Sequence, residues 1–101
     1  DTVVALLQPR GNFSSNQSGK ILLDFYLKNV SLEDGNYISL IIDKIEFKLT
    51  KWKPFWIQGL KAGTHKISID LKTKDGNSIK GIMPDQLSTI IRVNEIKLFS
   101  E

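Results

Sequence analysis

Apolar and polar side chains alternate with a period of two residues over most of this chain. The clearest case is residues 64–72, THKISIDLK, where every second side chain is apolar or aromatic. Successive side chains of a β-strand point to opposite faces of its sheet, so this pattern predicts a strand with one buried face. The side chains predicted to face inward are His65, Ile67, Ile69 and Leu71.

Similar segments recur about every ten residues, separated by turns rich in glycine, asparagine and aspartate. Only Asp43 and Lys44 separate two of them, which is short enough for a tight hairpin. We predict seven strands, at residues 2–7, 20–28, 37–43, 45–50, 54–58, 64–72 and 89–98. In the second to fourth strands the predicted inward side chains are Ile21, Leu23, Phe25, Leu27, Ile38, Leu40, Ile42, Ile45, Phe47 and Leu49.

Two segments depart from simple alternation. The stretch QPRGNFSSNQSGK, at residues 8–20, is predicted to be a long polar connection after the first strand. The C-terminal stretch MPDQLSTIIRVNEIKLF has a spacing that a helix starting near Pro84 would also satisfy. Its threonine, isoleucine and valine residues are β-branched, which favours one strand through 89–98.

Seven short strands in 101 residues indicate an all-β fold. We predict a seven-stranded antiparallel sandwich of the immunoglobulin-like or fibronectin type III-like class. The length suits one domain, predicted to span residues 1–101. No apolar run approaches the ~20 residues that a membrane-spanning helix needs. The chain begins at Asp1 rather than at methionine, from which we expect a processed protein or a domain of a longer one.

Composition excludes several classes of function. The chain has no cysteine, which excludes disulfides, zinc fingers and thiol nucleophiles. Its net charge of +3 comes from twelve lysines and two arginines against eleven acidic residues. Proteins that read nucleic acids favour arginine, whose planar fork matches phosphate and guanine, whereas scattered lysines mainly keep a surface solvated. We therefore predict no nucleic-acid partner.

Four short motifs follow one another along the chain: PRG at 9–11, DFYLKN at 24–29, WKPFW at 52–56 and GTH at 63–65. Their order, over roughly residues 5–80, resembles that of immunoglobulin-like modules of bacterial envelope proteins. Among such modules the sequence looks most like a cyanobacterial group. The resemblance implies a β-sandwich in the periplasm or outside the cell, and it implies no known activity.

The segment KWKPFWIQGL, at residues 51–60, contains both tryptophans of the chain. If its strand buries Phe55 and Ile57, Trp52 and Trp56 lie on the opposite face, roughly 13 Å apart. Exposed indoles beside an amide could stack on the apolar faces of sugar rings. Alternatively, Trp52 packs over the sheet edge and lysine stems cover Trp56. The candidate ligand-binding residues are Trp52, Trp56, Gln58 and Tyr37.

No catalytic or metal-binding motif is present in the sequence. The single histidine, His65, follows a glycine turn, and we expect it to bond a backbone carbonyl there. A catalytic imidazole needs an orienting acid and a nucleophile, and no motif ties either to His65. The acidic residues lack the regular spacing of a calcium loop. We predict no catalytic residue, no metal and no cofactor.

Two functional hypotheses remain. The first is a non-catalytic immunoglobulin-like spacer or protein-interaction module of a bacterial envelope protein, whose partner is another protein or domain. The second is a carbohydrate-binding module that holds a polysaccharide on a tryptophan platform. The two differ in whether the indoles are exposed and respond to sugars.

Overall fold

A computed structural model describes residues 2–14, 20–79 and 87–95 of the chain. In these ranges the backbone forms eight strands and no helix that could span a membrane. The strands are β1 Val3–Gln8, β2 Gly11–Ser14, β3 Ile21–Lys28, β4 Tyr37–Ile42, β5 Ile45–Leu49, β6 Phe55–Ile57, β7 Gly63–Lys72 and β8 Ser88–Asn94.

The strands form two sheets, of order β1-β3-β6 and β2-β8-β7-β4-β5. Neighbours are antiparallel except β2 and β8, which run parallel. Inner faces of both sheets contribute to one hydrophobic core, in which Leu23 and Phe25 of the smaller sheet join Ile38 and Ile67 of the larger. The predicted β-sandwich is thus confirmed, with eight strands in place of seven.

The predicted faces of three strands are also confirmed. β3 alternates between buried and accessible residues, and β7 does so from its fifth residue onward. Burying these apolar side chains is the main favourable term in folding, at roughly 25 cal/mol per Å² removed from water. The buried inward residues of β3, β4 and β7 are Ile21, Leu23, Phe25, Leu27, Ile38, Leu40, Ile42, Ile67, Ile69 and Leu71.

Strand β2 lies inside the segment that the sequence predicts to be a polar connection. It has four residues, of which Phe13 packs partly against the core. The chain leaves the smaller sheet after an irregularity between Leu6 and Gln8, passes through the buried Pro9, and joins the larger sheet beside β8. β2 is a strand because its backbone pairs with β8. Its mostly polar side chains do not alternate with apolar ones, so the sequence pattern does not reveal it.

The prediction that β5 buries its apolar side chains is wrong at two of three positions. Ile45 and Phe47 lie opposite the buried Ile42 and Leu40, so they do face the inner side of the sheet. Ile45 is nevertheless 62% exposed and Phe47 47% exposed, and only Leu49 is buried. The facing sheet ends in β6, which has three residues and leaves this part of β5 uncovered.

Near the C-terminus the chain forms a strand over Ser88–Asn94, antiparallel to β7. The helical alternative is therefore wrong over these residues. Ile91 and Val93 enter the core, whereas Ile90 faces outward. The last part of the predicted strand, residues 96–98, lies outside the described residues.

Candidate functional site

An apolar groove runs along the side of the sandwich where β5 and β6 form the edges of the two sheets. Its volume is about 360 Å³. We call it the edge groove. Its lining is apolar except for Asp43 and Gln58, and consists of Leu23, Leu40, Ile42, Asp43, Ile45, Phe47, Leu49, Phe55, Trp56, Ile57, Gln58 and Leu60.

The hairpin between β4 and β5 fixes the position of the groove wall. Asp43 and Lys44 both have positive φ angles, of 49° and 76°, and join the paired residues Ile42 and Ile45. Two successive positive φ angles match the right-handed twist of the flanking strands, so the hairpin closes tightly. The groove wall thus belongs to a hairpin closed by a two-residue turn, and among the described residues β5 is the edge strand of its sheet.

One end of the groove is held by the side chain of His65. Its Nδ1–H donates to the Asp43 carboxylate, and its Nε2–H donates to the carbonyl oxygen of Lys61 at 2.7 Å. The other oxygen of Asp43 accepts from the backbone N–H of Lys66 at 3.0 Å. These bonds tie the β4–β5 turn to the start of β7 and to the loop that precedes it. The expectation that His65 bonds a backbone carbonyl is confirmed.

This arrangement favours the charged forms of both groups. The hydrogen bond from His65 lowers the pKa of Asp43, and the bond from the Lys66 N–H acts in the same direction. The hydrogen bond to Asp43 raises the pKa of His65, and the Lys61 carbonyl adds to the rise. Both ring nitrogens face acceptors, so the imidazole must carry two protons to satisfy both. Neither nitrogen is then available to accept a proton from a substrate.

A second candidate surface lies on the outer face of the smaller sheet. Trp56 points outward between Phe55 and Ile57, opposite Leu22 of β3, and is 58% exposed. Trp52 is 55% exposed and lies at the edge of β3, where its Nε1–H donates to the carbonyl oxygen of Phe25 at 2.9 Å. The predicted outward placement of both indoles agrees with the structure, and Trp52 also packs on the sheet edge.

Tyr26 also belongs to this outer surface, although it is not among the candidate residues predicted from the sequence. Its ring centroid lies 6.1 Å from that of Trp52, with an angle of 78° between the planes. The two rings meet edge to face, a favourable geometry for aromatic pairs. Tyr26 has the outward parity of β3 in the sequence, so its exposure was predictable, but its contact with Trp52, across 26 residues of chain, was not.

The structure does not bring the other two candidate residues into this row. Tyr37 is in the opposite sheet, on its outer face, and is only 7% exposed, with Lys48 Nζ 4.8 Å from its ring centroid. Gln58 follows β6 and lines the edge groove. The predicted grouping of Tyr37 with the tryptophans is therefore wrong, because strand parity assigns a face to each side chain but not the sheet that its strand joins.

A hollow of about 470 Å³ lies on the other side of Trp52. The indole forms part of its wall. The other lining residues are the apolar Leu27, Val30 and Leu32 and the polar Ser31, Glu33, Thr50 and Lys51. The Ser31 hydroxyl accepts from the backbone N–H of Glu33 at 3.0 Å, which holds that loop in a turn. An indole wall with hydroxyl and carboxylate groups is chemically suited to a sugar ring.

Positive charge predominates along β5 and the segment after it. Lys44, Lys48, Lys51 and Lys53 lie within ten residues, with Glu46 as the single acidic side chain among them. Hydrogen bonds from Ser39 and Lys72 lower the pKa of Glu46, so it is ionised at neutral pH. Both bonds go to Oε2, the one from Lys72 Nζ over 3.3 Å.

Comparison with known proteins identifies the fold. No protein-family model and no curated protein matches the sequence. Among solved structures, the fibronectin(III)-like modules of Clostridium thermocellum CbhA are similar, with a TM-score of 0.61 and 15% identity over 93% of this chain and 99% of that one.

A second similar structure is SGBP-B of the Bacteroides ovatus mixed-linkage glucan utilization locus, in complex with a mixed-linkage heptasaccharide. Its TM-score is 0.55 and its identity 16%, over 95% of this chain and 25% of that one. A likeness to one quarter of SGBP-B does not assign the heptasaccharide to the similar part. At these identities the comparisons establish architecture alone: this chain has the fold of a fibronectin type III-like, immunoglobulin-like β-sandwich.

Proposed function

We propose that residues 1–101 act as one non-catalytic interaction module of a bacterial envelope protein, which binds another protein or domain through the edge groove. The observation that carries this proposal is the exposure of Ile45 and Phe47 on the inner side of β5, whose outer edge pairs with no other described strand. Apolar side chains that face a groove and lie beside free backbone groups favour a protein partner, which can cover both.

One further observation supports a binding role for this site. The imidazole of His65 is held by Asp43 and Lys61 at both nitrogens, so it serves the hairpin. The similar modules of CbhA and SGBP-B come from bacteria, which supports the bacterial setting.

The test uses the chain as bait and envelope fractions of the bacterium that makes it. We expect Phe47→Asp to abolish capture of the partner, because a carboxylate in the groove cannot be desolvated without a counter-charge. Ile90→Asp is the matched control, since Ile90 is 66% exposed and lies on the outer face of β8. Equal capture by both variants would show that the groove is not the binding surface.

Carbohydrate binding is the second candidate function. The observation that favours it is the exposure of Trp52 and Trp56 on one face, with a hollow beside Trp52 whose lining includes Ser31 and Glu33. On β3, Leu22 lies beside Trp56 and Tyr26 beside Trp52. At the usual rise per residue these two positions are roughly 13 Å apart, which is the length of two to three sugar units. Because the rings of Trp52 and Tyr26 meet edge to face, the two together offer a sugar one flat aromatic surface and not two.

Tryptophan emission distinguishes the two functions. A panel of envelope polysaccharides and mixed-linkage glucans is titrated into the chain, and emission wavelength and acrylamide quenching are followed. Saturable protection by one glycan, lost in Trp52→Ala and kept in Phe47→Asp, would favour the carbohydrate function. Unchanged emission with every glycan would leave the protein-interaction function as the better account.

A further inference from the structure

We propose that the partner of the edge groove is a second copy of this chain, which pairs antiparallel with β5 about a two-fold axis at Phe47. The proposal rests on the proposed interaction function and specifies its partner. It follows from three properties of β5: the direction of its free backbone groups, the order of its charges, and the exposure of its inner side chains.

Within the described part of the chain, the backbone groups of β5 that no neighbouring strand pairs are those of Glu46 and Lys48. The backbone N–H of Asp43 bonds the carbonyl oxygen of Lys66, so at this residue β4 directs its groups toward β7. Backbone groups alternate in direction along a strand, so Ile42 directs its own groups toward Ile45 of β5. By the same alternation, residues 45, 47 and 49 bond β4, whereas residues 46 and 48 present their N–H and C=O groups outward.

Of the two-fold registers centred on Glu46, Phe47 or Lys48, only the one centred on Phe47 makes the charges complementary. Centred on Phe47, the pairing places Glu46 opposite Lys48 of the second copy, and Lys48 opposite its Glu46. Residues opposite each other on an antiparallel pair share a face, and opposite charges there are favourable. A register centred on Glu46 would oppose two Glu46 carboxylates, and one centred on Lys48 would oppose two ammonium groups. Like charges in these positions are destabilising.

The Phe47-centred register also uses the free backbone groups. Glu46 and Lys48 of the two copies become hydrogen-bonded pairs, and Phe47 meets its own symmetry mate as a non-hydrogen-bonded pair. On the outer face, Glu46 already accepts from Ser39 and Lys72 through Oε2. A carboxylate accepts about four hydrogen bonds in all, so Oε1 has capacity for the Lys48 ammonium of the second copy.

On the inner face the same register covers the apolar side chains that the fold leaves exposed. Ile45 lies opposite Leu49 of the second copy, and the two Phe47 rings meet at the axis. The two edge grooves then become continuous across the interface. An isologous contact of this kind satisfies both partners at once and closes after two subunits.

Charge exchange tests the register in the intact chain by sedimentation velocity over a concentration series. We expect a dimer that Glu46→Lys and Lys48→Glu each weaken at least about tenfold, because each places like charges opposite one another. The double exchange, Glu46→Lys with Lys48→Glu, restores complementary pairs and should return the dissociation constant to within about threefold of the starting value. Denaturant unfolding at low concentration checks that each variant still folds.

Cross-linking gives a second readout, since the chain contains no cysteine. In the non-hydrogen-bonded pair at the axis the Cα atoms are about 4.5 Å apart, within the range that a disulfide spans. Phe47→Cys should therefore form a disulfide-linked dimer under mild oxidation. Ile45→Cys is the matched control, because the two copies of residue 45 lie about four residues, or roughly 13 Å, apart in this register.

The outcomes separate this inference from the proposed function. A chain that stays monomeric to ~1 mM, or a dimer indifferent to both charge exchanges, overturns self-pairing. Equal cross-linking of Phe47→Cys and Ile45→Cys overturns the register. Loss of capture in Phe47→Asp with a monomeric chain would retain the interaction function and assign the groove to a different protein.

Discussion

His65 and Asp43 are 22 residues apart in sequence and joined side chain to side chain in the structure. Asp43 occupies the turn between β4 and β5, and His65 the start of β7. The pair thereby holds the β4–β5 hairpin, which forms one wall of the edge groove, against β7. Its strength depends on the charge of both groups, so the stability of this end of the sandwich depends on pH.

Replacing His65 by alanine should lower the free energy of unfolding by about 1–2 kcal/mol near pH 5.5, since a charge-assisted hydrogen bond is lost. Because folding raises the pKa of His65, the charged imidazole contributes fully to stability below its ordinary pKa of about 6.5. This contribution is lost as pH rises through the pKa of the folded state. Because folding lowers the pKa of Asp43, its carboxylate contributes fully to stability above about pH 4. This contribution is lost as pH falls through the pKa of the folded state.

The difference in stability between the wild-type chain and His65→Ala should therefore be largest between about pH 4 and 6.5 and should shrink on either side. Urea denaturation at a series of pH values measures it. Thr64→Ala, which alters an exposed neighbour, serves as the control. A difference that does not vary with pH would mean that the ion pair contributes nothing to folding.

Phe25→Ala and Ile69→Ala should each cost about 2–5 kcal/mol, because both side chains are buried where the two sheets meet. The measurement is the midpoint of chemical denaturation at a fixed slope. Asp75→Asn, in an exposed turn, should change stability by less than about 0.5 kcal/mol. Small losses at both core positions would contradict the packing of the two sheets.

Comparing Ile45→Ala with Leu49→Ala tests whether a side chain on the inner face of β5 stabilises the fold only when it is buried. Both residues point to the inner side of β5, yet Leu49 is 8% exposed and Ile45 62% exposed. We expect Leu49→Ala to cost about 2–4 kcal/mol and Ile45→Ala less than about 1 kcal/mol at low protein concentration. Similar costs for the two would mean that the groove is closed in solution.

Trp52→Phe should cost about 1 kcal/mol, because it leaves the Phe25 carbonyl oxygen without its indole donor while keeping an aromatic ring beside Tyr26. Trp56→Phe is the comparison, at a position of similar exposure, and should cost less than about 0.5 kcal/mol. Thermal unfolding followed by far-ultraviolet circular dichroism provides the values. A larger loss of stability for Trp56→Phe than for Trp52→Phe would contradict the role assigned to the Trp52 hydrogen bond.

The sequence predicts most of this fold because its strands have one buried face. The predicted limits of β3, β4 and β7 agree with the structure to within one residue. β2 is missed because a short polar strand pairs through its backbone and leaves no mark in the side-chain pattern.

The candidate site is harder to predict for two physical reasons. Alternation shows that Phe47 faces inward, but its exposure depends on how far the opposite sheet extends, which a three-residue β6 decides. The bond between His65 and Asp43, and the separation of Tyr37 from the tryptophans, depend on which strands become neighbours. Strand neighbours are long-range properties, and one sequence read locally does not contain them.

The parallel strand β2 has a consequence for how copies of this chain would accumulate. It occupies the side of the larger sheet remote from β5 with four residues, including Asn12 and Ser14, and gives that side a short polar border. Growth of a fibre requires two adhesive edges on every molecule, one to join and one to be joined. If β5 pairs with itself as proposed, β2 offers only a short polar edge on the far side of the larger sheet, so pairing through this sheet ends after two copies.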